Sequence, residues 1–269
     1  MGIFACSRAL RALVFACGVV WVASAAPAGA ATLLSPGPAV LIKKSAEPFG
    51  LATTILGEGG LRDKWLGVQR RLEDEMVQLA LCDGDREGCA SLAALKFLAI
   101  VDDARARDGR ARLGEVNRAI NLAVKATSDL AQYRQTDFWA SPLMTFASGA
   151  GDCEDYAIAK LVALRLAGIP NEDLRIVVLH DTVHGEDHAV ASTRLDGRWL
   201  MLDNRRMAMV EDSDVRNYRP TFVIDQHDVM RYNDAPLLAD ASRRGPAAPA
   251  VVSSLAESSL VASQVTKTD

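Results

Sequence analysis

An α+β fold is the class that this sequence predicts, and three observations support the prediction. Apolar residues recur every three or four positions before residue 125, which indicates amphipathic helices. A nearly continuous apolar run follows Cys153 and indicates a buried helix. Beyond residue 173 the apolar residues form short runs separated by turn signals, which is typical of antiparallel strands. Helices followed by a set of antiparallel strands belong to the α+β class.

The N-terminus has the pattern of a secretory signal peptide over residues 1–30. Arg8 and Arg11 precede an apolar run over residues 12–22, and small residues with A-x-A-like cleavage sites follow. An uncleaved membrane anchor is the alternative, but the apolar run is shorter than the roughly 20 residues that a spanning helix needs. We therefore expect a periplasmic or secreted protein with no membrane insertion after signal cleavage.

Composition and charge describe an ordinary globular protein and exclude one class of partner. The 269 residues are 49% hydrophobic and 24% charged, which allows one core or two small ones. Signal cleavage would remove two arginines and no acidic residue, so the formal net charge would change from −4 to −6. A mildly acidic protein is a poor binder of nucleic acid, and we expect no nucleic-acid partner.

The cysteines divide into three sets. Cys6 and Cys17 leave with the signal peptide. Cys82 and Cys89 bracket a short polar turn, and in an oxidising compartment this spacing predicts a disulfide. Cys153 is then unpaired, and an odd cysteine in an exported protein is a candidate reactive thiol.

The remaining elements follow in chain order. Residues 31–60 are rich in Pro, Gly and small residues and predict an N-terminal arm. Residues 61–234 form the predicted domain, whose first part holds three amphipathic helices and an aromatic loop over residues 133–142. Residues 235–269 show no periodicity and predict a disordered tail.

The second half of the domain predicts a sheet. Strands are expected over residues 174–179, 188–193 and 198–203, with a fourth over residues 221–224. The Asp196-Gly197 pair between the second and third strands is a hairpin signal.

Three residues could form a catalytic set. Cys153 lies at a predicted helix start, where unpaired amides and the helix dipole favour a thiolate nucleophile. His188 opens one strand of the hairpin and Asp203 closes the other, so the two could lie side by side next to the helix. Cysteine catalysis needs such a base and a group that orients it. Each residue alone also fits a structural role: a buried thiol, a strand-edge histidine and a turn-forming aspartate.

Two further groups of residues could bind a metal. Asp152, Glu154 and Asp155 surround the cysteine; a calcium ion would relieve their repulsion, although acidic residues are also favourable at a helix N-terminus. This carboxylate cluster should raise the pKa of the thiol, and a bound cation would cancel that effect. Three histidines at residues 180, 184 and 188 would align on a helix and bind zinc, but the predicted strands separate them.

One segment carries a family resemblance. Residues 151–160 read GDCEDYAIAK, and His-Ala-Val at 188–190 and Leu-Asp-Asn at 202–204 follow downstream. Over residues 130–230 the sequence resembles the bacterial transglutaminase-like cysteine peptidase family. The resemblance implies a papain/transglutaminase-like fold, in which a helical N-terminal part holds the nucleophile at a helix N-terminus packed on an antiparallel sheet.

The same resemblance implies the site and the activity. It places a Cys-His-Asp triad on Cys153, His188 and Asp203, and a calcium site on the acidic residues Asp152, Glu154 and Asp155. The implied function is an exported cysteine endopeptidase that processes a surface or envelope protein such as a large adhesin. The implied partners are that protein substrate and an inner-membrane regulatory receptor that senses cyclic di-GMP. Two alternatives stay open: a transglutaminase-type protein acyltransferase and a catalytically silent, calcium-dependent binding module.

Overall fold

The computed structural model describes residues 45–233. The predicted signal peptide, the first part of the predicted arm and the predicted tail lie outside the described residues. Six α-helices are present in the described range: α1 (Gly60–Gly84), α2 (Leu92–Arg105), α3 (Gly109–Ala123), α4 (Asp129–Tyr133), α5 (Pro142–Ser148) and α6 (Cys153–Leu166). The first three are the amphipathic helices that the sequence predicts.

Nine strands accompany these helices in the described range. Seven form one sheet and two form a short parallel pair. They are β1 (Thr53–Ile55), β2 (Lys125–Ala126), β3 (Ala150–Gly151), β4 (Leu174–Asp181), β5 (Glu186–Leu195), β6 (Arg198–Leu202), β7 (Val210–Glu211), β8 (Tyr218–Ile224) and β9 (Val229–Tyr232).

The large sheet is antiparallel throughout, in the order β1-β9-β8-β4-β5-β6-β7. At the turn between β5 and β6, Asp196 has φ 52° and Gly197 has φ 77°. Two consecutive positive φ values are the geometry of the type I′ turn that Asp-Gly pairs favour. This turn sets the register of β5 against β6. The predicted α+β fold is confirmed.

Helix α6 lies at the centre of the main core. All ten residues from Asp155 to Leu164 are buried, so the helix is enclosed on every side. One face of the sheet packs against it through alternate strand residues such as Ile176 and Ala191. The other face buries a smaller cluster that includes Val177 and Val190. The alternation places successive residues of β4 and β5 on opposite faces.

The predicted arm contributes a strand that the sequence pattern does not reveal. Residues 53–55 form β1, which pairs with β9 at one edge of the large sheet. The ordered fold therefore includes part of the segment that the sequence assigns to an arm. The predicted disulfide is present: Cys82 at the end of α1 is bonded to Cys89 with an S–S distance of 2.05 Å. Within residues 45–233, no helix is both long enough and apolar enough to span a bilayer.

Candidate active site

The candidate site lies where β5 extends beyond the end of its shorter neighbour β6. β5 pairs with β6 only from Ala191 to Leu195, so its first residues extend beyond the end of β6. The N-terminus of α6 packs against this extension. The backbone amide of Ala189 on β5 lies close enough to Cys153, the first residue of α6, to act on the pKa of its thiol. The cysteine thus lies beside the residue that follows His188.

The glycine before the cysteine is required by a close contact. A Cβ atom on Gly151 would lie 2.7 Å from Oδ2 of Asp155 and 2.8 Å from its Cβ. Real Cβ atoms do not approach other heavy atoms so closely, so any larger residue would displace the start of α6. Because Gly151 has no side chain, the backbone can pass close to Asp155, and this close approach fixes the position of the half-buried Cys153 at the start of α6.

His188 and Asp203 form a buried pair. Nε2 of His188 is 2.9 Å from Oδ1 of Asp203, and both residues are at most 2% exposed. The other ring nitrogen, Nδ1, is buried and has no hydrogen-bond partner among residues 45–233. With Nε2 donating to the carboxylate, Nδ1 carries a lone pair and can accept a proton.

The carboxylate of Asp203 is well supplied with donors. Besides His188, the hydroxyl of Tyr218 donates to its Oδ2 at 2.6 Å, and the amide of Arg205 donates to its Oδ1 at 2.9 Å. Burial alone would raise the pKa of Asp203, but these hydrogen bonds outweigh burial and hold the pKa well below its usual range. Asp203 is therefore ionised at neutral pH.

The thiol of Cys153 lies in the opposite electrostatic environment. Burial raises its pKa, and the carboxylate of Glu154, whose Oε2 is 3.0 Å from the sulfur, raises it further. The amide of Ala189 acts in the other direction but does not outweigh these effects. The pKa of the thiol is therefore raised, which is the direction expected from the acidic neighbours and opposite to the direction expected from the helix N-terminus.

Three acidic residues next to the thiol lie close together. One side-chain oxygen from each of Asp129, Asp152 and Glu154 lies within 4.8 Å of the other two. Burial and the charge of Glu154 raise the pKa of Asp152 to about 8, and burial also raises the pKa of Asp129 and of Glu154. Oδ1 of Asp129 and Oδ1 of Asp152 are buried without a hydrogen-bond partner in the described part of the chain. This group is called the acidic trio below.

Asp155 is separate from the acidic trio. Its Oδ1 accepts a hydrogen bond from the amide of Ala140 at 2.7 Å, which ties the aromatic loop to α6. The amide of Phe138 in the same loop donates to Asp129. The loop therefore lies beside the trio, with the rings of Tyr133 and Phe138 4.6 Å apart.

Two residues of the site were not expected from the sequence. Asp129 starts the short helix α4, where an acidic residue also fits an ordinary helix N-terminus. Tyr218 opens β8, where an aromatic residue fits an ordinary strand. Neither residue carries a sequence signal that separates its place in the site from these common roles.

The three histidines of the zinc alternative do not converge. His180 lies on β4 and its Nδ1 is 3.0 Å from Asp187. His184 lies in the turn after β4, and its Nδ1 is 2.6 Å from Asp181. His188 faces Asp203 instead, so each ring has its own carboxylate partner.

Comparison with solved structures finds matches to three structures of one protein. LapG from Legionella pneumophila is 21% identical, and the match covers 62% of this chain and 91% of LapG with a TM-score of 0.49. A calcium-bound structure of LapG from the same organism is 23% identical over 54% of this chain and 82% of LapG, with a TM-score of 0.47. An EGTA-treated structure is 22% identical over 58% and 84%, with a TM-score of 0.49. No curated protein matches the chain.

A family model gives the broader match. The model for bacterial transglutaminase-like cysteine proteinases matches residues 76–229, which is more than half of the chain. The matched region includes α6 with Cys153, strand β5 with His188, and Asp203 just after β6. The chain therefore belongs to the bacterial transglutaminase-like cysteine proteinase family and is a cysteine peptidase.

Proposed function

We propose that this cysteine peptidase is an endopeptidase that uses Cys153 as nucleophile, His188 as base and Asp203 as the group that orients the base. One observation carries the proposal. Nδ1 of the buried His188 has no partner among the described residues, while the amide of the next residue on the strand lies close enough to Cys153 to act on the pKa of its thiol. An imidazole held by Asp203 at one nitrogen leaves the other nitrogen available for the thiol proton.

The chemistry follows from this arrangement. As the sulfur of Cys153 bonds to the carbonyl carbon of the substrate, the thiol proton moves to Nδ1 of His188. The charge of Asp203 stabilises the imidazolium, and the same proton then goes to the leaving amine as the peptide bond breaks. Water, deprotonated by His188, hydrolyses the thioester. The backbone amide of Cys153 at the start of α6 is a donor for the oxyanion.

Calcium is the proposed cofactor, and the acidic trio would hold it. The donor set consists of carboxylate oxygens, which calcium prefers, and two of them are buried without a partner among residues 45–233. A bound ion would supply positive charge beside the thiol and offset the effect of Glu154. Asp155, which the sequence also suggested as a ligand, already accepts a hydrogen bond from Ala140, and we assign it to holding the aromatic loop.

The cellular role is a finer proposal. We propose an exported enzyme, because the N-terminus has the pattern of a signal peptide and the Cys82–Cys89 disulfide suits an oxidising compartment. The substrate would be an envelope or surface protein such as a large adhesin, and an inner-membrane receptor that senses cyclic di-GMP would control the enzyme. The family resemblance of residues 151–160 supports the substrate and the receptor.

The test uses the mature protein and its Cys153→Ala variant. Each is incubated with the envelope fraction of the source cells, calcium and a labelled primary amine, and new protein N-termini are mapped by mass spectrometry. We expect new N-termini with the wild-type protein and none with the variant at an unchanged melting temperature. Cleavage that persists in the variant would exclude the proposed nucleophile.

The same experiment separates the alternatives. Incorporation of the labelled amine without new N-termini would indicate an acyltransferase. If neither product forms, and if iodoacetamide alkylates Cys153 no faster than a model thiol, the calcium-dependent binding module becomes the better description.

A further inference from the structure

Lys160 is a buried cation at the centre of the molecule that the proposed reaction does not use. It lies on α6 seven residues after Cys153, and therefore about two helical turns further along nearly the same face. Its side chain is 0% exposed. Lysine is almost never fully buried unless it is paired, because removal of the ammonium group from water is costly.

The contacts of this ammonium group are few and specific. Nζ donates a hydrogen bond to the backbone carbonyl of Leu202 at 3.0 Å, and it lies 5.7 Å from the centre of the Tyr156 ring. Among residues 45–233, no carboxylate forms a direct ion pair with it. Burial lowers the pKa of Lys160 to about 7, and the charge of Asp203 acts in the opposite direction.

The accepting carbonyl belongs to the residue just before Asp203. Leu202 is the last residue of β6 and pairs with Ala191 of β5, and the chain leaves the sheet immediately afterwards. A hydrogen bond to this carbonyl fixes the peptide unit from which Asp203 projects. Since the donor is on α6, the bond links the helix that carries Cys153 to the strand end that carries Asp203.

We propose that Lys160 is a positioning residue of this site: its Nζ donates to the Leu202 carbonyl and so sets Asp203, and through Asp203 the ring of His188, relative to Cys153. The inference rests on the proposed Cys-His-Asp mechanism. Stability alone does not account for the residue, because removal of an ammonium group from water is costly and the described residues offer it one hydrogen bond and no ion pair. A positioning role predicts that replacement of Lys160 by an apolar side chain of similar volume impairs the thiol while the fold remains as stable as before.

The experiment measures the second-order rate of Cys153 alkylation by iodoacetamide at pH 7 with calcium, together with the melting temperature. The variants of the mature protein are Lys160→Met, which keeps volume but removes the donor, and Lys160→Gln, which keeps a donor without charge. Leu164→Met, at another fully buried position of α6, is the matched control. Each substitution is also made in an Asp203→Ala background.

We expect Lys160→Met to slow alkylation about tenfold, the effect of losing one hydrogen bond from a charged group, with a melting temperature equal to or above that of the wild type. Lys160→Gln should recover part of the rate, and Leu164→Met should keep all of it. In the Asp203→Ala background, Lys160→Met should cause no further loss, because the lysine acts through Asp203.

Three results would overturn the inference: a wild-type rate for Lys160→Met, a loss that persists in full in the Asp203→Ala background, or a loss accompanied by a fall in melting temperature. A failure of the proposed Cys-His-Asp mechanism would give a different result. If that mechanism is wrong, the Asp203→Ala protein without any change at Lys160 would be alkylated at the wild-type rate.

Discussion

Two sets of carboxylates belong to this site, and they differ in the number of hydrogen bonds that they accept. Asp203 accepts hydrogen bonds from His188, from Tyr218 and from a backbone amide, and its pKa lies well below the usual range. The acidic trio of Asp129, Asp152 and Glu154 has two buried oxygens without partners in the described range. The pKa of each trio member is raised, that of Asp152 to about 8.

The comparison shows that donors, and not burial alone, decide the charge of a carboxylate. The hydrogen-bond donors of Asp203 all come from the protein itself, so its carboxylate can stabilise the imidazolium of His188 at neutral pH without a bound ion. The acidic trio lacks positive charge, and a divalent cation would supply it. We infer that the catalytic pair is a permanent feature of the fold, whereas the environment of the thiol depends on calcium.

The largest expected effect on turnover comes from replacing Asp203, the carboxylate with three hydrogen-bond donors. Replacing Asp203 by alanine removes the partner of His188 Nε2, so the ring loses its orientation and the imidazolium loses its stabilising charge. We expect turnover to fall about 10³- to 10⁴-fold, as for other orienting carboxylates of catalytic triads, when cleavage is followed by the appearance of new N-termini. A loss smaller than tenfold would show that Asp203 does not orient the base.

A smaller effect is expected from the acidic trio. Asp129→Asn removes a charge from the proposed calcium site without touching the triad, and calcium affinity measured by titration calorimetry should fall about 10- to 100-fold. At saturating calcium the variant should regain most of the wild-type cleavage rate. Asp103→Asn is the matched control, since this residue is exposed near the end of α2 that contacts the C-terminal end of α6, away from the trio. Equal calcium affinity in wild type and Asp129→Asn would remove Asp129 from the site.

The smallest effect concerns stability against pH, and the two sets of carboxylates should act in opposite directions. Because the pKa of Asp152 is raised in the calcium-free folded protein, protonation of Asp152 stabilises the folded state. This contribution to the free energy of unfolding is fully present below about pH 4 and is lost as the pH rises through about 8. The lowered pKa of Asp203 gives a contribution that is present above about pH 4 and is lost only in stronger acid.

Melting temperatures between pH 5 and 8 test this difference. Without calcium the melting temperature should fall across this range, and saturating calcium should flatten the curve because the trio is then ionised and paired. In an Asp152→Asn variant the fall should also be smaller. A calcium-free curve that rises steadily from pH 5 to 8 would contradict the assigned direction for the trio.

Local patterns in the sequence predict much of this architecture. The periodicity of residues 63–82 predicts α1, and the Asp196-Gly197 pair predicts the tight turn that places β6 beside β5. Because the turn sets the register, the expected proximity of His188 and Asp203 also follows from local chemistry. The structure places their side chains 2.9 Å apart.

The unexpected features depend on contacts between distant segments. Asp129 approaches Asp152 and Glu154 from a separate short helix. Tyr218 reaches Asp203 because β8 lies next to β4, an order that the sequence does not specify. The three residues of β1 are a strand only through pairing with β9 at the opposite end of the domain sequence. Lys160 lies in a helix buried on all sides, where periodicity does not identify the partner of a polar group.

The rate of Cys153 alkylation by iodoacetamide as a function of pH, with calcium and with a chelator, tests the central claim most directly. With calcium we expect fast alkylation that persists at pH values well below the pKa of a free thiol, roughly 8.5, since the charge of the cation and His188 together stabilise the thiolate. With chelator the rate should be low and should rise only at alkaline pH, because burial and Glu154 raise the pKa of the thiol. Slow alkylation with the titration of an ordinary thiol in both conditions would contradict both an assembled triad and control of the thiol by calcium.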